Sequence, residues 1–197
     1  LDEDARLSMR QHEEAQRQGR AALESDLCFF MIDVDHFKQV NDQHGHAAGD
    51  AVLVQMRERL REVFRDSDYL VRWGGEEFLV VARASDRAMA SELAERARRA
   101  VGNRPFDLGQ GRMLVRTCSI GFACFPLLPH NVRATGWMLA VELADAALYQ
   151  AKRGGRNGWF GVQDAGTWDP QDLADLHPSG EALPAGMAVV AGPDTHG

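Results

Sequence analysis

Residues 27–34 read LCFFMIDV, and all but Asp33 are apolar. Neither a period of two nor one of 3.6 separates a wet face from a dry one. A short run of this kind, bounded by Asp26 and Asp35, is predicted to be a strand buried on both faces. A chain with such a strand must cover both sides of a sheet, and every other segment has to be read against that demand.

The flanking segments supply the cover. HFKQVNDQHG (36–45) predicts a short helix ending at Gly45. GDAVLVQMRERLREVF (49–64) places Leu53, Met56, Leu60 and Phe64 at helical spacing, with Asp50 where an N-cap belongs. YLVRWGGEEFLVVA (69–82) predicts two strands around a tight turn. Residues 86–101 and 137–155 predict helices, the second ending in Gly154–Gly155. Residues 112–125 predict a long strand interrupted near Gly121, and 157–162 a final strand. Residues 1–26, charged and mixed in sign, are expected to form a helical lead-in, divergent or truncated, that continues from an upstream module. The chain opens on Leu1 and is read as a piece of something longer. From 163 the composition shifts to Gly, Pro and small residues, so the expected division is a lead-in at 1–26, a folded domain at 27–162 and a flexible tail at 163–197. The order of elements predicts an α+β fold with a central, mainly antiparallel sheet flanked by helices.

Apolar residues make up 45% of the 197, enough for a substantial core, and the net charge is −7. An acidic chain of this kind is a poor ligand for duplex nucleic acid. A nucleotide remains compatible, because a metal ion offsets phosphate charge locally. Cys28, Cys118 and Cys124 are odd in number and lack metal-site spacing, which argues for a reducing compartment. No apolar run approaches the roughly 20 residues that cross a bilayer.

Chemistry concentrates in the carboxylates. Asp33 ends the most buried strand, and Asp35 points to the same face. Glu76 and Glu77 leave the turn after Gly74 and Gly75. Adjacent anions beside a buried strand need a counter-charge. Hard oxygen ligands suit Mg²⁺ or Mn²⁺, and two glycines let backbone approach a ligand closely. The competing reading makes Asp33 a helix cap and GGEE a solvated turn. His36, His44 and His46 could hold a transition metal, but solvent exposure is the expected fate of histidines around Gly45.

RWGGEEF (72–78) resembles the signature of the GGDEF family, the diguanylate cyclases, in its GGEEF form. MIDVDHFKQVNDQHGHAAGDAVL (31–53) and ADAALYQAKRGGRN (144–157) resemble two further family blocks in the right order, so the likeness covers about 27–160. It implies a palm-like, nucleotidyl-cyclase fold with a ferredoxin-like core. It implies condensation of two GTP to cyclic di-GMP with release of two pyrophosphates, with paired sites formed by a two-fold homodimer and two Mg²⁺ or Mn²⁺ per site. By the same resemblance Asp33, Glu76 and Glu77 are the catalytic and metal-binding carboxylates, with the Val34 carbonyl as a backbone ligand. Asn41 and Asp50 read guanine and Leu53 packs near the base. Lys38, Lys152 and Arg156 hold the triphosphate, with backbone from Phe37 and room left by Gly74 and Gly75.

RDSD (65–68) resembles the family's RxxD inhibitory site, where Arg65, Asp68 and Arg96 would take the product cyclic di-GMP. The competing reading is a helix end followed by a turn aspartate. The family's usual lead-in is not matched by LDEDARLSMR (1–10). Two alternatives to an active cyclase therefore stay open: a weak or inactive domain that senses cyclic di-GMP or GTP, and an unrelated metal-nucleotide fold such as an adenylyl cyclase or polymerase palm. A cytoplasmic location, alone or as the cytoplasmic part of a membrane-attached protein, and an upstream sensory or receiver module complete the expectations.

Overall fold

The computed structural model describes residues 1–166, 168, 169, 171, 173, 183 and 187–193. Strand β1 (Asp26–Val34) is buried along its whole length, as its composition demands. It lies between β3 (Glu77–Ser85) and β6 (Cys118–Phe125), antiparallel to both. The six-stranded sheet has the order β2-β3-β1-β6-β7-β8, with β2 at Tyr69–Gly74, β7 at Trp159–Asp164 and β8 at Ala188–Ala191. Among the described residues only β6 and β7 pair in parallel, joined by the crossover helix α5 (Trp137–Arg153). A second, two-stranded ribbon joins β4 (Phe106–Asp107) to β5 (Met113–Leu114).

Alternation along β1 assigns the two cores. Cys28, Phe30, Ile32 and Val34 face helices α2 (Phe37–His44), α3 (His46–Arg61) and α4 (Ala90–Gly102), meeting Val52, Met56, Leu60, Ala94 and Val101. Leu27, Phe29 and Met31 face α1 (Asp2–Arg17) and α5, meeting Ala5, Leu143 and Leu148. The predicted α+β class, with a mainly antiparallel sheet between helices, is the fold observed.

Three local expectations are corrected. Asp50 is not an N-cap. Gly45, with φ of 83°, ends α2 and starts α3 at once, so Asp50 lies inside α3. The strand predicted over 112–125 breaks at 115–117, not at Gly121. Gly121 pairs with Met31 in mid-strand, and its missing side chain lets α5 approach: a Cβ there would lie 2.7 Å from the Leu148 Cα and closer still to the Ala144 carbonyl oxygen. Finally, the fold does not end at 162. Strand β7 runs to Asp164, and β8 adds an edge strand from within the segment read as a flexible tail. Leu173 is buried against the α5 side. Residues 167, 170, 172, 174–182, 184–186 and 194–197 of that tail lie outside the described residues.

Candidate active site

The β1–β3 ladder sets Asp33 directly opposite Glu77. Glu76 precedes it in the turn that reverses β2 into β3, where Gly75 has a φ of 42°. Such a φ suits glycine, and a Cβ on Gly74 or Gly75 would meet nothing within 4 Å, so the space over the turn is open. Arg72 fastens the turn, its Nε donating to the Gly75 carbonyl at 2.9 Å.

Asp33 is 5% exposed, while Glu76 and Glu77 are half-buried. Burial pushes the Asp33 carboxyl up to about 6, and the Glu76 and Glu77 charges add to the push against the hydrogen bond and charge of Lys152. Lys152, in the last turn of α5, places its Nζ 3.0 Å from Asp33 Oδ2 and 4.0 Å from Glu77 Oε1. Among the described residues no three acidic, imidazole or thiol groups converge tightly enough to cage an ion by themselves. The set is nonetheless short of positive charge, and a few carboxylates of this kind suit an ion that keeps waters and takes further oxygens from a phosphate.

A cavity of about 460 Å³ opens beside these carboxylates, lined by Phe37, Lys38, Asn41, His46, Asp50, Leu53, Arg72, Gly75 and Glu76. It gathers the expected guanine readers Asn41 and Asp50 with Leu53, Phe37 and Lys38. Asp50, read wrongly as a cap, faces this cavity because it is one residue past the packed Gly49. Arg72 and His46 are lining residues that the sequence reading missed; only their nearness to Gly74 and Asp50 could have pointed to them. Lys152 belongs to the carboxylate cluster, and Arg156 stands exposed in the loop after α5, outside the cavity lining. Val34 is the last residue of β1. His36 and His46 are exposed and His44 half-buried.

The RxxD residues lie elsewhere, on the α3–β2 connection. Asp68 is 6% exposed, and its two carboxylate oxygens accept the backbone N–H groups of Arg65 at 2.9 Å and Arg83 at 3.0 Å. This carboxylate shapes the turn. Arg65 is exposed, and Arg96 of α4 reaches the Val63 carbonyl beside that turn.

A family model described as "Diguanylate cyclase, GGDEF domain" matches residues 5–158, taking in most of α1 as well as the blocks above. The diguanylate cyclase DgcP of Pseudomonas aeruginosa is 40% identical over 157 residues, 80% of this chain and 22% of that protein. Diguanylate cyclase A of Treponema denticola is 37% identical over 131 residues, 66% of this chain and 34% of that protein. Among solved structures, the GGDEF domain of DgcB from Caulobacter crescentus in complex with c-di-GMP superposes with a TM-score of 0.60 at 31% identity, covering 76% of this chain and 80% of that one. The active GGEEF domain of a diguanylate cyclase from Vibrio cholerae gives 0.58 at 32%, covering 75% and 86%. The chain spans about a fifth to a third of the length of the curated relatives it matches.

Proposed function

This chain belongs to the diguanylate cyclase GGDEF-domain family, and on that premise we propose that it condenses two GTP molecules into cyclic di-GMP and two pyrophosphates. The observation that carries the proposal is the pairing of Asp33 with Glu77 across the β1–β3 ladder, beside a cavity lined by Asn41, Asp50, Leu53 and Lys38.

Guanine enters the cavity over Leu53. The Asp50 carboxylate accepts from N1–H and N2–H, a donor pair adenine lacks, and Asn41 contacts the same base. Lys38 and the first turn of α2 at Phe37 take the phosphates nearest that side. Lys152, now 3.0 Å from Asp33, exchanges that carboxylate for a phosphate oxygen, and Arg156 joins it. Gly74 and Gly75 leave room for the chain of phosphates over the turn. Asp33, Glu76, Glu77 and the Val34 carbonyl would hold Mg²⁺ or Mn²⁺, two per site, which supply charge neutralisation at phosphorus and a lowered pKa for the attacking 3′-hydroxyl. One cavity accommodates one GTP, so the two bonds of the product require two copies of the domain face to face about a two-fold axis.

Cyclic di-GMP is proposed to inhibit by binding at the α3–β2 connection, with the exposed Arg65 and Arg96 as its contacts and Asp68 holding the turn that presents Arg65. The chain works in the cytoplasm under an upstream sensory or receiver module. Its relatives are longer than it is, and one structural neighbour, the diguanylate cyclase SiaD of Pseudomonas aeruginosa, forms a crystallised complex with its activator SiaC. Among the described residues no helix is long and apolar enough to cross a membrane.

The test is incubation with GTP and Mg²⁺ across a series of protein concentrations, followed by chromatography. Cyclic di-GMP should form, at a rate per molecule that rises with concentration, and Glu77→Ala should abolish it. No product at high concentration, equal use of ATP, or unchanged turnover by Glu77→Ala would refute the reading.

A further inference from the structure

Asp35 lies two residues beyond Asp33, is 2% exposed, and has no part in the chemistry above. Its Oδ1 accepts the Ser119 hydroxyl at 2.7 Å. Its Oδ2 accepts the Thr117 hydroxyl at 2.6 Å and the backbone N–H of Asn157 at 3.0 Å. The first two partners are on or beside β6, so they tie the ends of neighbouring strands. The third is the residue after Arg156, in the loop that leaves α5.

That loop has an unusual backbone. After Gly155, Arg156 and Asn157 adopt φ of 65° and 44°, two successive non-glycine residues in the left-handed region. Residues of this kind stay there only when their surroundings fix them. The surroundings are visible. Arg156 N–H donates to the Ala151 carbonyl at 3.0 Å. Asn157 Oδ1 accepts Arg98 Nη1 at 2.8 Å, and Arg98 is itself held by both oxygens of Glu95 at 2.8 Å. Asp35 supplies the hold from the β1 side. The end of β1 thus grips the α5 exit twice, with Asp33 on Lys152 and Asp35 on Asn157.

We propose that Asp35 is a positioning residue for the triphosphate: by accepting the Asn157 N–H it fixes the left-handed loop that aims Arg156 at the phosphates. This rests on the reading of the chain as a GTP-binding domain. A purely structural Asp35 would matter only as a tie between β1 and β6, and its loss would lower stability without touching phosphate recognition in particular.

The test measures, by calorimetry in Mg²⁺, the affinity of the chain for a non-hydrolysable GTP analogue and for guanosine monophosphate, alongside thermal melting. The ratio of the two affinities isolates the outer phosphates from guanine. Asp35→Ala should lower that ratio about tenfold, the scale of one charge-assisted hydrogen bond. Thr117→Val, which removes one tie to Asp35 but leaves its bond to Asn157, should lower the melting temperature and keep the ratio. In an Arg156→Ala background, Asp35→Ala should lower the ratio no further, since the two act as a unit. Should Asp35→Ala fail to fold, Asp35→Ser, whose hydroxyl is too short to reach Asn157, carries the same expectation. An unchanged ratio, an equal loss in Thr117→Val, or a further loss in the Arg156→Ala background overturns the inference while leaving the functional reading intact. Binding of neither nucleotide by the unaltered chain overturns both.

Discussion

Gly49→Ala separates guanine recognition from folding. Gly49 sits in the first turn of α3 with its Cα against α2, and a Cβ there would come 3.1 Å from both the Asn41 Cγ and the Phe37 Cζ, and closer than 3.0 Å to the Asn41 Oδ1. The obstruction is the far end of a short side chain, so Asn41 yields by turning away. An off-rotamer Asn41 costs about 0.5–1.5 kcal/mol. The exchange of glycine for alanine in a helix returns about 0.5–1 kcal/mol. The net change in stability is then within about 1 kcal/mol, and Tm shifts by less than about 4 °C for a chain of this size. In the proposed binding mode guanine would lose the Asn41 hydrogen bond, about 0.5–1.5 kcal/mol, so affinity for a GTP analogue should fall roughly 2- to 12-fold. Discrimination against the ATP analogue shrinks with it. Calorimetric titration and scanning calorimetry on one preparation read both quantities. Unchanged GTP affinity would refute the contact between Asn41 and the base. A Tm lowered by more than about 8 °C would refute the claim that the side chain absorbs the clash.

Two further perturbations probe the frame around the site. Gly121→Ala drives a methyl group into the backbone of α5 at Ala144 and Leu148, which cannot rotate aside, so the cost should reach about 3 kcal/mol and Tm should fall by roughly 6–12 °C; a smaller fall in scanning calorimetry would mean that α5 is not seated as tightly as described. Asp26 is buried, which pushes its carboxyl up, but hydrogen bonds from His12 and Arg87 and the Arg87 charge bring it below the ordinary value, with the Arg87 N–H at 2.9 Å and Nε at 3.1 Å. A lowered carboxyl contributes stability that is full above the unfolded value of about 3.9 and is lost as pH falls through the folded one. Arg87→Leu leaves Asp26 buried without its cation, so urea midpoints should drop by the equivalent of about 3–5 kcal/mol at neutral pH, and the drop should narrow in acid as the carboxyl protonates; a loss independent of pH would refute the assignment.

How much of this was legible in the sequence depended on how local each signal was. Asp33 and Glu77 could be placed because strand alternation and a two-residue turn fix both positions within a few residues. Asp50 was given the wrong role in its helix, because Gly49 reads as a breaker until Asn41 and Phe37 are seen against it. Asp68 looked like a ligand; its two backbone donors, Arg65 and Arg83, come from either side of β2 and could not be paired by spacing. Asp35 was seen to share a face with Asp33, yet its partners at 117, 119 and 157 are fixed only once β6 lies beside β1 and β7 beside β6. Strand β8 is short and set among residues typical of a tail, so its place on the sheet follows from the partner edge of β7 alone.

The sheet also places its two sets of acidic groups on unlike supports. Asp33 stands on β1, hydrogen-bonded on both edges and covered on both faces, with Glu77 paired to it across the ladder, whereas Glu76 lies in the turn to β2, which among the described residues has no strand on its outer edge and shows most of its residues to water. Asp33 and Glu77 are therefore anchored in the sheet, and Glu76 rides on the more exposed turn. Amide exchange should be slowest along β1 and fastest along β2, and any opening that admits or releases nucleotide should come from the β2–β3 turn moving against a stationary Asp33 and Glu77.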